Sequence, residues 1–349
     1  MSQFIDVHSP VFPWHLHPAQ LYALAQEYGL SGDTLLQAAG LSNEDISNSE
    51  LLISWHQYRA MARLVEQHCP PHWGILMGQR LTLASHGLLS LAVMNCSGWD
   101  QVLDLMVKFK NLVTALFYVE KHDTDEHVIL LLRPEFSRDP ITQKFIECFF
   151  LAIYQAIISL AEFRDLIKSG TADFRIYLQH QKPDYNDISQ AAFDQNIEYG
   201  YWCYALKVHQ SYLQTPISNS NASNPVITNN MVTLLKGQMQ QMPILTGELH
   251  ALHSLFGKQQ FQLEKCASRL HTSATTLKRR LKQADTSFNS ELKLYRSEQA
   301  HLLLMYTQLS QDDIAQQLGF QDTGSFRRFF KAETGLTPID FRHGPHSHS

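Results

Sequence analysis

The C-terminal part of the chain repeats one pattern of apolar and polar positions twice. In each copy, an apolar residue and an alanine precede a leucine, a short turn, a polar residue and a run with an apolar face and an arginine pair. The copies read Cys266-Ala267-x-x-Leu270, Ser273, Leu277-Lys278-Arg279-Arg280-Leu281 and Ile314-Ala315-x-x-Leu318-Gly319-Phe320, Asp322, Phe326-Arg327-Arg328-Phe329-Phe330. A supporting helix, a tight turn and a second helix with one buried and one basic face form a helix–turn–helix unit. The pattern predicts two such units, at about 262–283 and 310–332, in an all-α domain.

A helical run joins the two copies. Between Ser287 and Tyr306 the apolar residues recur at helical spacing. A rigid joint of this kind would hold the second helices of the two units, called the basic helices below, at a fixed angle. Two such helices could enter successive major grooves on one face of DNA, about 34 Å apart. The second copy has one more residue in its turn, and we expect Gly319 to supply it.

The N-terminal pattern is mixed. After an irregular arm at 1–17, helical spacing dominates up to about residue 112. Residues 116–121 and 128–133 are β-rich runs around a polar segment and predict a hairpin. The remaining predicted elements are a helix at 140–168, a strand at 174–179, a short helix at 183–193 and one or two strands at 196–208. We predict an α+β domain that is dominated by helices and contains a small sheet.

A polar segment separates the two parts. Residues 214–230 are rich in Ser, Asn and Pro and show no apolar period, which is typical of a linker. The run from Val226 to Met239 could form a helix that packs on either domain or on a second subunit. The predicted organisation is an N-terminal domain at 1–213, a linker at 214–243, a C-terminal domain at 244–343 and a disordered tail at 344–349.

Charge is divided unevenly between these parts. The chain has a formal net charge of −5 at pH 7. From Leu245 onward, 13 Lys and Arg stand against 10 Asp and Glu, which leaves 15 against 23 for the rest of the chain. A mildly basic module joined to an acidic one is typical of a DNA-binding domain with a separate regulatory domain.

Composition also restricts compartment and chemistry. No run of about 18 apolar residues predicts a membrane span, and the first residues lack the order of a signal peptide. We therefore expect a cytoplasmic protein with no membrane partner. His8, His15 and His17 lie close together without further ligands, so neither a metal nor a cofactor is predicted. The five cysteines are expected to be buried thiols: Cys69, Cys96, Cys148, Cys203 and Cys266.

Two runs carry a resemblance to a known family, Ile314-Ala315-x-x-Leu318-Gly319-Phe320 and Gly335-x-Thr337-Pro338-x-x-Phe341-Arg342. Together with the rest of 263–342, they closely resemble the DNA-binding domain of the AraC/XylS family of bacterial transcription regulators. The first copy departs from the family pattern at His271, where glycine is common. Residues 20–217 more diffusely resemble the arabinose-binding-type effector domain of one branch of this family, a name that does not establish arabinose as the ligand.

The resemblance implies a transcription regulator that binds double-stranded DNA. It also implies a small-molecule effector and a homodimer, and it admits RNA polymerase as a partner. We expect an activator, although the sequence alone does not separate activation from repression. Neither the effector, nor its binding residues, nor the operator can be read from the sequence.

Candidate DNA-contacting residues lie on the outward face of each basic helix. Ser273 and Asp322 are predicted to cap these helices. The base-reading candidates are Thr275, Lys278 and Arg279 in the first unit and Thr323, Gly324, Arg327 and Arg328 in the second. The phosphate-contact candidates are Arg280 and Lys282. The alternative is that one arginine of each pair is a structural ion-pair partner, and Arg296 in the joint is expected to be structural.

The N-terminal region shows no motif of a hydrolase, a phosphate-binding loop, a zinc protease or a dinucleotide site. We therefore predict that the chain is not an enzyme and has no catalytic residue. Two alternatives to a small-molecule sensor are kept. The N-terminal domain could be a protein-interaction module without a ligand, or the chain could be a bifunctional enzyme, which the missing motifs disfavour.

Overall fold

The computed structural model describes residues 2–82, 88–109, 114–159, 164–165, 167, 173–213, 225–241 and 244–344. The chain divides into two compact units, Met1–Gly247 and Glu248–Ser349. Parts of several predicted segments lie outside the described residues: 86–87, 110–112, 160–163, 166 and 168 of predicted helices, 214–224 and 242–243 of the linker, and 345–349 of the tail.

The first unit is dominated by helices. They are α1 (His17–Glu27), α2 (Gly32–Ala38), α3 (Asn43–Ile46), α4 (Trp55–His68), α5 (Trp73–Arg80), α6 (Leu88–Met94), α7 (Trp99–Phe109), α8 (Pro140–Ile158), α9 (Asn186–Ala192), α10 (Gln210–Leu213) and α11 (Pro225–Gln241). Helix α4 begins with a capping box between Ser54 and Gln57. Helix α8 begins with Asp139 as its cap and Pro140 in its first turn, where the missing N–H of proline costs nothing.

Helix α8 is the central helix of this unit. It is the one helix among the described residues that has the length and apolar composition to cross a membrane, but 67% of its apolar window is buried inside the protein. Helix α5 packs closely on it through two glycines. A Cβ on Gly74 would lie 2.4 Å from the carbonyl oxygen of Lys144, and one on Gly78 would lie 2.8 Å from that of Cys148. Only glycine permits this approach of the two backbones.

One five-stranded sheet packs with these helices, in the order β4-β5-β8-β6-β7. Its strands are β4 (Phe117–Asp123), β5 (His127–Pro134), β6 (Phe174–Leu178), β7 (Ile197–Tyr199) and β8 (Ala205–His209). Strands β4 and β5 form the predicted antiparallel hairpin, in which Phe117 pairs with Pro134 and Asp123 with Val128. The predicted α+β class of this part of the chain, with helices dominant and a small sheet, is confirmed.

The irregular arm predicted at 1–17 is wrong for two short segments. Strand β2 (Pro10–Pro13) pairs antiparallel with β3 (Leu52–Ser54). Strand β1 (Ser2–Ile5) pairs parallel with β9 (Ile244–Gly247), which directly precedes the second unit. The pairing partners lie far away in the sequence, and this is why local spacing does not reveal these strands.

The end of the first unit is held at Gly247. Its backbone N–H donates a hydrogen bond of 2.9 Å to the carboxylate Oε2 of Glu135, and a Cβ on Gly247 would lie 2.5 Å from the same oxygen. Helix α11 and strand β9 thus give the chain regular structure just before the second unit. The predicted domain boundary lies between residues 243 and 244, whereas the compact units divide after Gly247. The two boundaries differ by strand β9.

The described part of the second unit contains only helices. They are α12 (Glu248–Gly257), α13 (Leu263–Arg269), α14 (Ala274–Gln283), α15 (Phe288–Tyr306), α16 (Gln311–Gln317), α17 (Thr323–Thr334) and α18 (Pro338–His343). They surround two separate apolar clusters. One contains Leu249, Leu277 and Leu281, and the other contains Ile314 and Phe326. Helix α15 contributes to both clusters, and the predicted all-α domain with two helix–turn–helix units joined by one helix is confirmed.

Candidate nucleic-acid interface

The first basic helix is α14. Its cap is Ser273, whose Oγ accepts a hydrogen bond of 3.1 Å from the backbone N–H of Thr276. Leu277 and Leu281 are fully buried, and they fix which face of the helix turns inward. The exposed residues Thr275, Lys278, Arg279 and Lys282 recur at helical spacing on the opposite side. The structure thus brings the three predicted base-reading residues of this unit together on one exposed face.

The second basic helix is α17. Asp322 caps it and accepts a hydrogen bond of 2.7 Å from the backbone N–H of Ser325. That bond, supported by the Ser325 hydroxyl, lowers the pKa of the Asp322 carboxyl below its usual range. Phe326 and Phe330 are fully buried, while Arg327 and Arg328 are exposed and Thr323 and Gly324 are half-buried. The four predicted residues of this unit therefore lie on the first two turns of one helix face.

Several of these side chains have partners elsewhere in the second compact unit, Glu248–Ser349. Arg280 approaches Glu248, with 3.7 Å between Nη1 and Oε1. Arg327 Nε donates to Gln311 Oε1 at 2.7 Å, and Arg328 Nη2 donates to Ser325 Oγ at 3.0 Å. The Thr323 hydroxyl donates a hydrogen bond to Asp312 Oδ1. Arg280 is therefore the arginine of its pair that has a structural ion-pair partner, as the alternative in the sequence analysis allowed.

Arg279 and Lys278 differ from Arg280 in this respect. Both are exposed, and within the described residues neither has an ion-pair partner. Their charges therefore face solvent at the centre of the basic face. An exposed guanidinium can present its fork of donors to a base edge without first breaking an internal salt bridge.

The two turns have the same backbone conformation although their residues differ. Gly319 has φ of +69°, and His271, which stands at the equivalent position, has φ of +53°. In the first turn the Thr272 N–H donates to the Ala267 carbonyl at 2.9 Å, and in the second the Phe320 N–H donates to the Ala315 carbonyl at 2.9 Å. The histidine thus keeps the helix-ending turn that glycine forms in the second unit.

Arg296 of α15 is a structural residue, as expected. Its Nε and Nη2 donate hydrogen bonds of 2.9 and 2.8 Å to the carbonyls of Leu318 and Gly319, at the end of α16. Its guanidinium also lies over the rings of Phe261 and Phe320, at 5.2 and 4.5 Å from their centroids. Burial lowers the pKa of Arg296, but the two carbonyls compensate its charge. The joint helix is thereby fastened to the second turn.

Lys331 is a further residue of the basic surface that was not among the predicted DNA contacts. Lys331 is exposed on α17 and lies one turn beyond Arg327. It extends the basic face of this helix along the same side. Its spacing of four from Arg327 was the available signal.

The described residues contain no group of three or more His, Cys, Asp or Glu side chains that could hold a metal ion. The five cysteines are all buried free thiols, as predicted.

Comparison with known proteins adds to this geometry. Residues 29–217, more than half of the chain, match the family described as the arabinose-binding domain of AraC transcription regulator, N-terminal. Residues 266–344 match a family described as a helix-turn-helix domain.

Individual relatives are transcription regulators by their names. The chain is 25% identical over 327 residues to the ornithine utilization regulator of Pseudomonas aeruginosa, which covers 93% of this chain and 94% of that relative. It is 32% identical over 84 residues to the HTH-type transcriptional activator RhaR of Enterobacter sp. (strain 638), covering 24% of this chain and 30% of that relative. The solved structure of transcriptional regulator CdpR from Pseudomonas aeruginosa is similar over 82% of this chain and 91% of that chain, with 20% identity and a TM-score of 0.38.

Proposed function

This chain belongs to the AraC family of transcription regulators, and we propose that it reads operator DNA with both basic helices under the control of a small-molecule effector. The observation that supports this proposal most strongly is the pair of exposed basic faces on α14 and α17. Each face begins at a capped helix N-terminus, and α15 joins the two units that carry them. In the proposed complex, α15 would hold the two helices so that they enter successive major grooves, as two helices of helix–turn–helix proteins do.

In the proposed complex, the base-reading residues are Thr275, Lys278 and Arg279 of α14 and Thr323, Gly324, Arg327 and Arg328 of α17. An arginine that forms two hydrogen bonds to one guanine contributes about 1–3 kcal/mol of discrimination against other bases. Gly324 has no side chain, so it would act by allowing close approach of the backbone. A Cβ there would lie 3.0 Å from Asp322 Oδ1, which shows how tightly this helix start is packed.

Lys282 and Arg280 are assigned to the DNA backbone. Lys282 is exposed at the end of the same face of α14 as Arg279. Arg280 would contact a phosphate while it remains beside Glu248, because its side chain is still 29% exposed. Such contacts position a protein on DNA without reading the sequence.

The first compact unit, Met1–Gly247, would supply regulation. We assign residues 1–213 to effector sensing and dimerisation, 214–243 to the linker and 244–343 to DNA binding. Helices α6 and α11 pack on each other and carry four large apolar side chains that are 46–63% exposed, which suits a contact with a second copy of the chain: Leu91, Met94, Val226 and Leu234. The resulting homodimer would act in the cytoplasm as an activator that contacts RNA polymerase, and no catalytic step is assigned to the chain.

Selection of DNA from a random pool by the full chain tests the DNA-binding part of the proposal. We expect an enriched motif with two halves about 10 base pairs apart, the distance between successive major grooves on one face. A pool that remains random after selection at moderate salt would contradict the proposal, since electrostatic binding alone does not distinguish sequences.

Native mass spectrometry of the purified full chain tests the regulatory part. The proposal predicts a dimer and, with effector present, one added ligand mass on each subunit that is lost on denaturation. A monomer at micromolar concentration would contradict the assigned dimer. An effector that binds without changing affinity for the selected motif would contradict its regulatory role.

A further inference from the structure

The first compact unit, Met1–Gly247, contains a partly open cavity of about 80 Å³. Its wall is built from α1, α6, α7, α8 and the sheet. Helix α6 contributes Leu89 and Val93, α7 contributes Met106, and α8 contributes Phe149 and Ala156, while strands β4, β5 and β8 close the other side. The cavity therefore lies between the central helix and the sheet of the unit that matches the effector domain.

The chemistry of the wall is almost entirely apolar. The described residues that line the cavity include no Asp, Glu, Lys or Arg, and none of their side chains carries an oxygen atom. Among these described lining residues, only His17 and Trp99 carry side-chain nitrogen atoms. A sugar or an amino acid placed here would lose its hydrogen bonds to water and find few replacements, and an ammonium or carboxylate group would lose even more.

We propose that this cavity is the effector site and that it binds a small uncharged apolar molecule or group, such as a short alkyl chain. An apolar cavity of about 150 Å³ in another protein stays dry and binds benzene. The cavity here has about half that volume, which suits a smaller group such as a short alkyl chain. The inference rests on the proposed regulatory function, and it adds the chemical class of the ligand. That class differs from the amino acid in the name of the ornithine utilization regulator.

The position of the cavity also gives a route from ligand to linker. Helix α6, which contributes Leu89 and Val93 to the wall, packs on α11. Leu235 of α11 is fully buried in the core of the first unit. A ligand that displaces α6 therefore acts on the helix that leads to strand β9 and the start of the second unit.

Titration with a series of straight-chain alcohols, from ethanol to octanol, tests the proposed chemistry on the full chain. Binding is followed by calorimetry and by the rise in unfolding temperature. We expect affinity to rise about fourfold for each added methylene until the cavity is filled, and then to stop rising. Ornithine and arabinose, the polar probes, should not bind at this site.

Two substitutions in the wall move the chain-length limit in opposite directions. Ala156→Leu places extra volume in the cavity and should shorten the longest alcohol that gains affinity, while Met106→Ala should lengthen it. The matched control is Ala191→Leu, the same substitution at an exposed position of α9 outside the cavity. It should leave the alcohol series unchanged. If Ala156→Leu fails to fold, Met106→Ala and the wild-type series still decide the question.

The outcomes separate this inference from the proposed function. Saturable alcohol binding whose limit follows the two substitutions supports the apolar site. Absence of saturable binding, or an unchanged limit in folded variants, overturns it. If ornithine or arabinose instead binds and changes affinity for the selected DNA motif, the inference fails while the regulatory function stands. Failure of the proposed function is read separately, from a selected DNA pool that shows no motif.

Discussion

The ring of Phe261 lies directly against the backbone of Gly319, where a Cβ would come within 2.2 Å of the ring atom Cδ2. Phe261 packs on the apolar cluster of the first helix–turn–helix unit, and Gly319 forms the turn of the second. Arg296 lies over the same ring and holds the carbonyl of Gly319. This contact joins the two helix–turn–helix units. The angle between the basic helices therefore depends on this packing as well as on the joint helix, α15.

Replacing Gly319 with alanine should therefore destabilise the second compact unit, Glu248–Ser349. A non-glycine residue with φ of +69° costs about 1–2 kcal/mol, and the clash with Phe261 adds about 1–3 kcal/mol. The measurement is the free energy of unfolding in denaturant, together with affinity for the selected DNA.

Gly335→Ala is the matched control. Gly335 has φ of +78° but no heavy atom within 4 Å of its Cβ position. It should lose only the backbone contribution, about 1–2 kcal/mol. Equal losses from the two substitutions would show that the Phe261 contact contributes nothing.

A substitution in the first turn should have the opposite effect on the free energy of unfolding. His271 is exposed and has φ of +53°, a conformation that glycine adopts without strain. His271→Gly should raise the free energy of unfolding by about 0.5–1 kcal/mol, after the larger entropy of glycine in the unfolded chain is subtracted. Binding to DNA should not change. A destabilised variant would mean that the imidazole makes a stabilising contact that outweighs the strain.

Arg296→Ala should lower the free energy of unfolding of the second compact unit by about 2–4 kcal/mol. The substitution leaves the carbonyls of Leu318 and Gly319 without their charged donors, and hydrogen bonds to charged groups contribute about 1.5–3 kcal/mol each. Lys293→Ala on the same helix is the control, because Lys293 forms an exposed ion pair of 2.9 Å with Glu333. That pair should contribute less than about 1 kcal/mol. Similar losses from both variants would argue against the structural role of Arg296.

The free energy of unfolding of the second compact unit should fall in mild acid because of His301. Burial lowers the pKa of His301 to about 4, and its Nδ1 lies 2.7 Å from the carbonyl oxygen of Ser297. Its folded-state pKa lies below its unfolded value of about 6.5, so stability is fully present above pH 6.5 and declines as pH falls toward 4.

The expected loss between pH 7 and pH 4.5 is about 2–3 kcal/mol from this residue. His301→Phe replaces the imidazole with an apolar ring between Phe330 and Phe341 and should remove this part of the pH dependence. Denaturant unfolding at the two pH values measures the difference. A variant with the same pH dependence as the wild type would exclude His301 as its source.

The parts of this structure that local sequence patterns predicted are those in which neighbouring residues determine the geometry. Ser273 and Asp322 cap the basic helices because their side chains reach backbone groups three residues away. Leu277 and Leu281 are buried because they recur at helical spacing. The longer second turn also follows from comparison of the two copies, but the expectation that Gly319 is the extra residue is wrong. His271 occupies the equivalent position in the first turn, so the extra residue lies between Gly319 and the cap Asp322.

The parts that were missed depend on contacts between distant segments. Strand β1 is four residues long and pairs with β9, more than 200 positions away in the sequence. The partner of Arg280 is Glu248, which lies on another helix. The cavity depends on how α6, α7 and α8 meet the sheet, and residues such as Val93 and Ala156 would look the same in a filled core. No local period carries this information.

The central claim is that both basic helices read bases, and it is tested most directly by comparing the DNA motifs selected by three full-length chains: the wild type, Arg279→Ala and Arg328→Ala. Lys282→Ala serves as the control, since loss of a phosphate contact should weaken all sequences alike and reduce the salt slope by about 1. We predict that Arg279→Ala loses sequence preference in one half of the motif and Arg328→Ala in the other. Each should weaken binding to the wild-type motif about 5- to 150-fold. If both variants select the wild-type motif with unchanged affinity, the base-reading assignment is wrong.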